Sequence, residues 1–211
     1  IELLGAPRIR RADGATRGPR GAKAWAVLAH VLLADVPPPR SRLAALLFPD
    51  AADPAGALRW NLAELRRALG PGVELGGDPV TLGLPEDWTV DVRVLRAGDW
   101  RRATAMDRLG AELLEGIALA EAPGFTLWLE AERRHVHTLA VGALTDATRA
   151  RLARGEGPQA RALARQLVAL APYDEDAHAL HVRAVAEADG PDAASATLAD
   201  ARRFLAVSYT H

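Results

Sequence analysis

The chain has 211 residues, 49% of them apolar and 25% charged, which is typical of a globular protein with one large or two small cores. No run of about 18 apolar residues is present, which excludes a membrane-spanning helix, and the absence of cysteine excludes disulfides and thiolate metal sites. The net charge of −1 conceals an asymmetry, because residues 1–70 carry +5 and the remainder carries −6. Either the charges cluster by chance, or the first third of the chain meets a polyanion.

The ends of the chain and its composition give expectations about its origin. No signal peptide precedes the first predicted strand, so a cytoplasmic protein is the simplest expectation. The chain begins at Ile1, inside that strand, and we therefore expect a segment of a longer protein. Arginine replaces lysine everywhere except at Lys23, and alanine is abundant, as in proteins from GC-rich bacterial genomes.

The first residues predict a small antiparallel sheet. Gly5 and Pro7 divide a weakly alternating run into two short strands, and Asp13–Gly14 is a hairpin-type turn. A first helix follows from Arg20 to Ala34, and its spacing of apolar residues indicates a role in the core. Lys23 lies near the start of this helix, where it either meets phosphate or is simply solvated.

The next two predicted helices form a helix-turn-helix. The Pro37–Pro39 run forces an extended break, and a short helix follows from about Arg40 to Leu47. The longer helix spans Pro54 to Leu69, with Asp53 as its N-cap, proline at its first position and Gly70 at its end. In this arrangement the second helix enters the major groove of DNA.

On a helical wheel, the longer helix has an inward stripe of four leucines: Leu58, Leu62, Leu65 and Leu69. Its other side carries Trp60, Glu64 and Arg67 on the outward face, Arg59 and Arg66 on one flank, and Asn61 on the other. Arginine can bind phosphate or guanine, asparagine can bind adenine, glutamate can accept from cytosine, and an aromatic ring can contact a thymine methyl group. The alternative is an ordinary amphipathic helix with solvated charges, in which Glu64 pairs with Arg67.

A predicted hairpin follows this helix directly. Val73 to Leu75 and Val80 to Leu84 form its strands, and Gly76 to Pro79 form its turn. A hairpin in this position is a wing, which we expect to touch the phosphates beside the groove.

Together these elements resemble the winged-helix domain of the Streptomyces antibiotic regulatory protein family, which shares its DNA-binding fold with OmpR-type response regulators. The resemblance rests on three features: a first helix with Lys23 and Trp25, the segment LAALLFPDAADPAGALRWNLAELRRALG, and a closing hairpin leading to Val90–Asp91. It implies that Arg59, Trp60, Asn61 and Glu64 face base edges, and that Arg66 and Arg67 lie nearer the DNA backbone. It also implies a phosphate contact by Arg40, early in the shorter helix.

From Arg101 onward the pattern is helical and no strand is expected. One helix is predicted from Arg101 to Leu114 and a longer one from Pro123 to about Ala153. The sequence GPQA at Gly157 then recurs as GPDA at Gly190, a period of 33 residues, with each copy opening an amphipathic helix. This period is similar to that of tetratricopeptide repeats, which have about 34 residues.

These repeats resemble the bacterial transcriptional activation domain that follows the winged helix in the same family. The landmarks are ELLEG, PGFTLWLEAER and LVALAPYDEDAH. Relatives usually continue with a Glu-Leu-Gly segment, whereas this chain ends at His211, so we expect the last repeat to be truncated or divergent. The resemblance covers nearly the whole chain and implies a winged-helix domain at residues 1–88 and an activation domain at residues 91–211.

The sequence offers little for catalysis or metal binding. It has no phosphate-binding loop, dinucleotide loop or nucleophile elbow. His135 and His137 differ by about 200° around a helix and do not favour a shared ion. His178 and His181 have ligand-compatible spacing, but no third imidazole or cysteine converges on them, and the acidic residues 174–176 favour a helix cap instead. We therefore predict no enzyme, no catalytic residue, no metal and no cofactor.

The sequence thus predicts a mainly α fold, with an N-terminal winged helix-turn-helix, its small sheet and wing, and an all-α repeat domain. The predicted function is a transcriptional activator whose helix 54–69 reads the major groove of double-stranded DNA. The resemblance implies direct repeats near a promoter, with the helical repeats holding a second protomer or RNA polymerase. Two alternatives remain: a protein-interaction scaffold in which Trp60 anchors an interface, and the regulatory front end of a larger multidomain signalling protein.

Overall fold

The computed structural model describes residues 1–11 and 14–208, so Asp13 of the predicted hairpin-type turn lies outside the described residues. The fold is mainly helical, with two small two-stranded sheets in its first part and a helical remainder, which confirms the predicted fold class. None of the described helices is both long and apolar enough to cross a membrane.

The chain divides into two compact units. The first comprises Ile1–Val94 and Ala111–Val136, and the second comprises Leu95–Gly110 and the chain from His137 onward. The predicted domain boundary at residues 88–91 stays a prediction.

The first unit begins with short extended segments. Strand β1 (Ile9–Arg10) pairs antiparallel with β2 (Thr16–Arg17), as the predicted small sheet requires. The segment before β1 pairs with a distant part of the chain, since the Leu114 amide donates to the Leu3 carbonyl at 2.8 Å and Leu4 forms a β-bridge with Leu113. The backbone of the N-terminal segment is therefore paired with residues more than a hundred positions away in the sequence.

Asp91 also holds this segment in place. Its buried carboxylate accepts hydrogen bonds from the amides of Leu3, Leu4 and Val92 at distances between 2.7 and 3.0 Å. Burial raises the pKa of Asp91, while the backbone donors act in the opposite direction.

Three helices follow: α1 (Ala22–Leu33), α2 (Arg40–Leu47) and α3 (Pro54–Leu69). The predicted bounds of α2 and α3 are confirmed, and α1 is shorter than predicted by two residues at its start and one at its end. The caps of α3 explain its bounds. Asp53 Oδ1 accepts from the Gly56 amide at 2.8 Å, and Gly70 ends the helix with a φ of +84°, in the left-handed region that favours glycine.

The predicted hairpin is also confirmed. Strands β3 (Glu74–Gly76) and β4 (Thr81–Gly83) are antiparallel, with Leu75 opposite Leu82. Leu75 and Val80 are buried, which turns one side of the hairpin toward the core of the first unit. We call residues 74–83 the wing.

The predicted helix from Arg101 to Leu114 is wrong. Helix α4 (Asp91–Arg96) precedes a single helical turn, α5 (Trp100–Ala103), and no regular helix follows before residue 123. Gly110 and Leu114 have φ values of +86° and +53°, which a right-handed helix does not accommodate. Backbone groups of this region are also hydrogen-bonded to the N-terminal segment, because the Glu112 carbonyl accepts from the Gly5 amide at 2.7 Å.

Four long helices follow in the described residues: α6 (Pro123–Leu152), α7 (Gly157–Leu170), α8 (Glu175–Asp189) and α9 (Pro191–Ser208). They agree with the predicted helices. In the second unit, α7 packs on α8 and α8 packs on α9. Small side chains allow close packing there: Ala160, Ala164 and Ala184 surround Leu152. The cap predicted from residues 174–176 is confirmed, since Asp174 accepts from the Asp176 amide at 2.9 Å. The assignment to tetratricopeptide repeats stays a prediction.

Candidate nucleic-acid interface

Helix α3 has one apolar side that faces the core of the first unit. All four leucines of its predicted stripe are buried: Leu58, Leu62, Leu65 and Leu69. The helix packs on both α1 and α2, so the second member of the predicted helix-turn-helix is held by the first member and by the preceding helix. This packing fixes which side of α3 is left for a partner.

The opposite side of α3 presents cationic and aromatic groups to solvent. Trp60 is 56% exposed, and the side chains of Arg59 and Arg67 are also largely exposed. Arg59 Nη2 lies 3.7 Å from Asp53 Oδ2, an exposed contact that contributes little to stability. We call Arg59, Trp60 and Arg67 the exposed triplet. Two exposed guanidinium groups and an exposed indole ring on one helix suit phosphates, guanine edges and thymine methyl groups.

Asn61 and Glu64 do not share this exposure. Asn61 is only 5% exposed, and its Nδ2 donates to the Ala57 carbonyl of its own helix at 2.9 Å. Glu64 is 7% exposed, so its predicted place on the outward face is wrong. The segment before α1 covers this flank of α3, as the Arg20 amide donates to Glu64 Oε1 at 3.4 Å.

The alternative prediction for Glu64 is confirmed. Its Oε2 lies 2.7 Å from Arg67 Nη2, an ion pair between residues three apart on the helix. Because the carboxylate is buried and the guanidinium is exposed, Glu64 holds one end of Arg67 while the rest of that side chain reaches solvent. A buried acid therefore positions the cation above it.

Arg40 and Arg66 both contact the wing. Arg40 Nε donates to the Gly77 carbonyl at 2.7 Å, and the Arg40 amide donates to Asp78 Oδ1 at 3.0 Å. Arg66 is exposed, but its Nε donates to the Leu75 carbonyl at 2.7 Å. The structure thus places these two predicted DNA contacts beside the hairpin rather than with the exposed triplet.

Lys23 is half-buried in α1 and already has partners in the first unit. Its Nζ lies 3.0 Å from Glu121 Oε1 and 5.3 Å from the centre of the Phe48 ring. These contacts offset its charge inside the unit. They weaken the case for Lys23 as a phosphate ligand.

Within the described part of residues 1–70, the exposed arginines that are not among the predicted site residues are Arg10, Arg17, Arg20 and Arg42. Arg42 lies on α2 and Arg17 on β2. Arg42 lies two residues after Arg40 on α2 and is not part of the exposed triplet of α3. The two arginines differ in their contacts, because Arg40 donates to the Gly77 carbonyl of the wing.

The histidines considered as metal ligands have other partners. His137 Nε2 lies 3.0 Å from the Leu170 carbonyl, and His178 Nε2 lies 2.8 Å from the Pro172 carbonyl. Burial lowers the pKa of His181, with smaller effects from His178 and two arginines. Over residues 1–11 and 14–208, no group of three or more histidines and acids is arranged to hold a metal ion.

Comparison with known proteins adds two findings. A family model described as the bacterial transcriptional activator domain matches residues 89–208, more than half of the chain. A solved structure of Mycobacterium tuberculosis EmbR, in complex with a low-affinity phosphopeptide, has a similar fold, with a TM-score of 0.64 and 19% sequence identity. The similarity covers 97% of this chain but only 59% of that one. None of the curated proteins matches this chain.

Proposed function

The chain belongs to the bacterial transcriptional activator domain family, and from this premise we propose that it activates transcription by binding DNA through an OmpR-type winged helix. In this proposal α3 enters the major groove, the wing lies over the neighbouring phosphates, and the protein works in the cytoplasm. It follows the pattern of the Streptomyces antibiotic regulatory proteins and has no enzymatic step.

The observation that carries the proposal is the exposed triplet on α3. A helix whose leucines are fixed by α1 and α2 presents two arginines and a tryptophan on its free side. The charge of +5 over residues 1–70 favours the approach of a polyanion. A hairpin next to the same helix supplies the second element of a winged helix.

Within the triplet the roles differ. Arg67 is oriented by Glu64, which suits a directed contact with a guanine edge or a phosphate, and the exposed Arg59, whose contact with Asp53 is long, is assigned to the phosphate backbone. Trp60 offers an apolar surface to a thymine methyl group. Asn61 and Glu64 have no base contact in this proposal, because both are buried.

The helical repeats of the second unit take the partner role in the proposal. Helices α7 to α9 pack in sequence and would hold a second protomer on direct repeats, or RNA polymerase. Double-stranded DNA is therefore one partner and a protein is the other. The family match covers these helices, which supports a protein-binding role for them.

Selection from a random-sequence duplex library at several salt concentrations tests the proposal. We expect enrichment of a repeated motif and an affinity that falls steeply with salt, by a log–log slope of about −0.9 for each phosphate contacted. Arg67→Ala and Trp60→Ala should each weaken binding to the selected site, with a loss of about 1–3 kcal/mol where a base contact is removed.

Arg165→Ala is the matched control, because Arg165 is an exposed arginine on α7, outside the first unit. It should bind the selected site as the unchanged chain does. Weak binding without enrichment, equal in all four proteins, would contradict the proposal and favour a protein-interaction scaffold.

A further inference from the structure

The wing is attached to α2 and α3 by hydrogen bonds to its main chain. Arg40, in the first turn of α2, donates from Nε to the Gly77 carbonyl at 2.7 Å. Arg66, in the last turn of α3, donates from Nε to the Leu75 carbonyl at 2.7 Å. In both arginines, therefore, Nε donates to a main-chain carbonyl of the same hairpin.

Further bonds hold the tip of the wing. The Val80 amide donates to the Pro38 carbonyl at 2.9 Å, just before α2 begins. Asp78 Oδ1 accepts from the Arg40 amide at 3.0 Å, and no side chain of α2 itself caps this helix. Asp78 at the tip thus caps the start of α2, which has no side-chain cap of its own, and Arg40 of α2 donates to the Gly77 carbonyl at the tip.

This arrangement also directs the only acidic side chain of the wing turn. Asp78 lies on a hairpin that the proposed function places beside phosphates, where a free carboxylate would repel DNA. Instead, one of its oxygens accepts from a main-chain donor at the start of α2. The contact holds the Asp78 carboxylate at the start of α2.

We propose that Arg40 and Arg66 are positioning residues, which set the wing against α2 and α3 through their Nε atoms, and that phosphate contact is not their main role. Its consequence for DNA affinity rests on the proposed function. The attachment of the wing is a property of the folded chain and is measurable without DNA.

Paired substitutions separate the two roles. Arg40→Gln removes the charge but keeps an amide donor at the position of Nε, whereas Arg40→Met removes both the charge and the donor. Arg66→Gln and Arg66→Met form the same pair on α3. Arg42→Gln is the control, because Arg42 is an exposed arginine on α2 and its substitution removes the same charge.

Hydrogen exchange of the full chain without DNA is the first measurement. In Arg40→Met the Val80 amide should exchange roughly fivefold faster than in the unchanged chain, which corresponds to the loss of about one hydrogen bond. In Arg40→Gln and Arg42→Gln its rate should stay within about twofold of the original. Arg66→Met should speed exchange along β3 and β4, and Arg66→Gln should not.

Binding to the selected duplex at several salt concentrations is the second measurement. We expect each methionine variant to bind roughly fivefold more weakly, with the salt slope unchanged, and each glutamine variant to recover most of that loss. A residue that served only overall stability would lower the folded fraction and leave the affinity of the folded protein unchanged.

Two results would overturn the proposal. Unchanged exchange of the wing amides in both methionine variants would show that the arginines do not hold the wing. Equal losses in the glutamine and methionine variants, with the salt slope reduced by about one, would assign both arginines to phosphate. If the unchanged chain selects no DNA sequence, the proposed function fails, and the exchange rates still decide whether the wing is held.

Discussion

His30 is a buried titratable group in α1. It is 7% exposed, and its ring packs edge-on against the indole of Trp128 with 4.6 Å between ring centres. Within the described part of the chain, its Nδ1 atom has no hydrogen-bond partner. Burial lowers the pKa of His30 from 6.5 to about 4, and the charge of Arg42 adds to the effect. The neutral imidazole is therefore the form that fits the folded chain.

We expect the free energy of unfolding to fall as the pH is lowered from 6.5 to about 4. In this range the unfolded chain binds a proton at His30 and the folded chain does not, so acid favours unfolding. A shift of this size limits the loss to about 3 kcal/mol. Urea unfolding above, within and below this pH range measures it.

The variant His30→Leu is the control for this titration. It keeps an apolar side chain against Trp128 and removes the proton site, so its stability should depend less on pH in the same range. The difference between the two proteins isolates His30 from His181, whose pKa burial also lowers. Identical pH profiles for the two proteins would contradict the assignment.

Glu64 shows why the predicted site was only partly right at the residue scale. The four leucines of α3 define its inward side by their spacing, and that side is as predicted. The spacing contains no information about how far the core extends around the helix. The segment at Arg20 covers one further flank, and this contact joins residues 44 positions apart.

At the scale of elements, local signals located α3 well and failed for residues 101–114. A capping aspartate, a proline and a terminal glycine fix both ends of α3 from neighbouring residues alone. Residues 101–114 have helical spacing, but Gly110 takes a positive φ and Leu114 bonds to Leu3. The spacing of neighbouring residues does not indicate a hydrogen-bond partner that lies so far away in the sequence.

Substitution of Gly157 and of Gly142 by alanine should change the free energy of unfolding in opposite directions. A Cβ at Gly157, the first residue of α7, would lie 2.9 Å from the backbone nitrogen of Ala188, whereas one at Gly142 in α6 would meet nothing within 4 Å. Gly157→Ala should therefore lower the free energy of unfolding by about 1–3 kcal/mol, because backbone of α8 must move. Gly142→Ala should raise it by about 0.5–1 kcal/mol.

Thermal or urea unfolding of the full chain compares the two alanine variants directly. They add the same methyl group to two helical glycines, so the difference between them reports the packing of α7 on α8. Equal effects of the two substitutions would show that this close approach is relaxed in solution.

At the scale of the whole molecule, the first unit is discontinuous in sequence. Residues 111–136 complete it, and three contacts show how: Leu113 bridges Leu4, Leu114 bonds to Leu3, and Trp128 covers His30. Phe125, which is fully buried, comes from the same segment. The predicted end of the winged-helix domain at residue 88 leaves these partners outside it.

A fragment of residues 1–94 should accordingly be less stable than one of residues 1–136. The shorter fragment exposes Leu3 and Leu4 and opens the site around His30, while helices α1 to α3 are identical in both. Urea unfolding followed by circular dichroism measures the difference as a lower midpoint for the shorter fragment. Equal midpoints would indicate that residues 111–136 pack on the unit without stabilising it.

The discontinuity also matters during translation. Helices α1 to α3 and the wing are synthesised before residues 111–136, and the 16 residues of Leu95–Gly110, which belong to the other unit, are made in between. Until residues 112–114 are free of the ribosome, the nascent chain carries the exposed triplet on a unit whose N-terminal segment lacks these backbone partners. Completion of the first unit is therefore timed by synthesis of the first turns of α6.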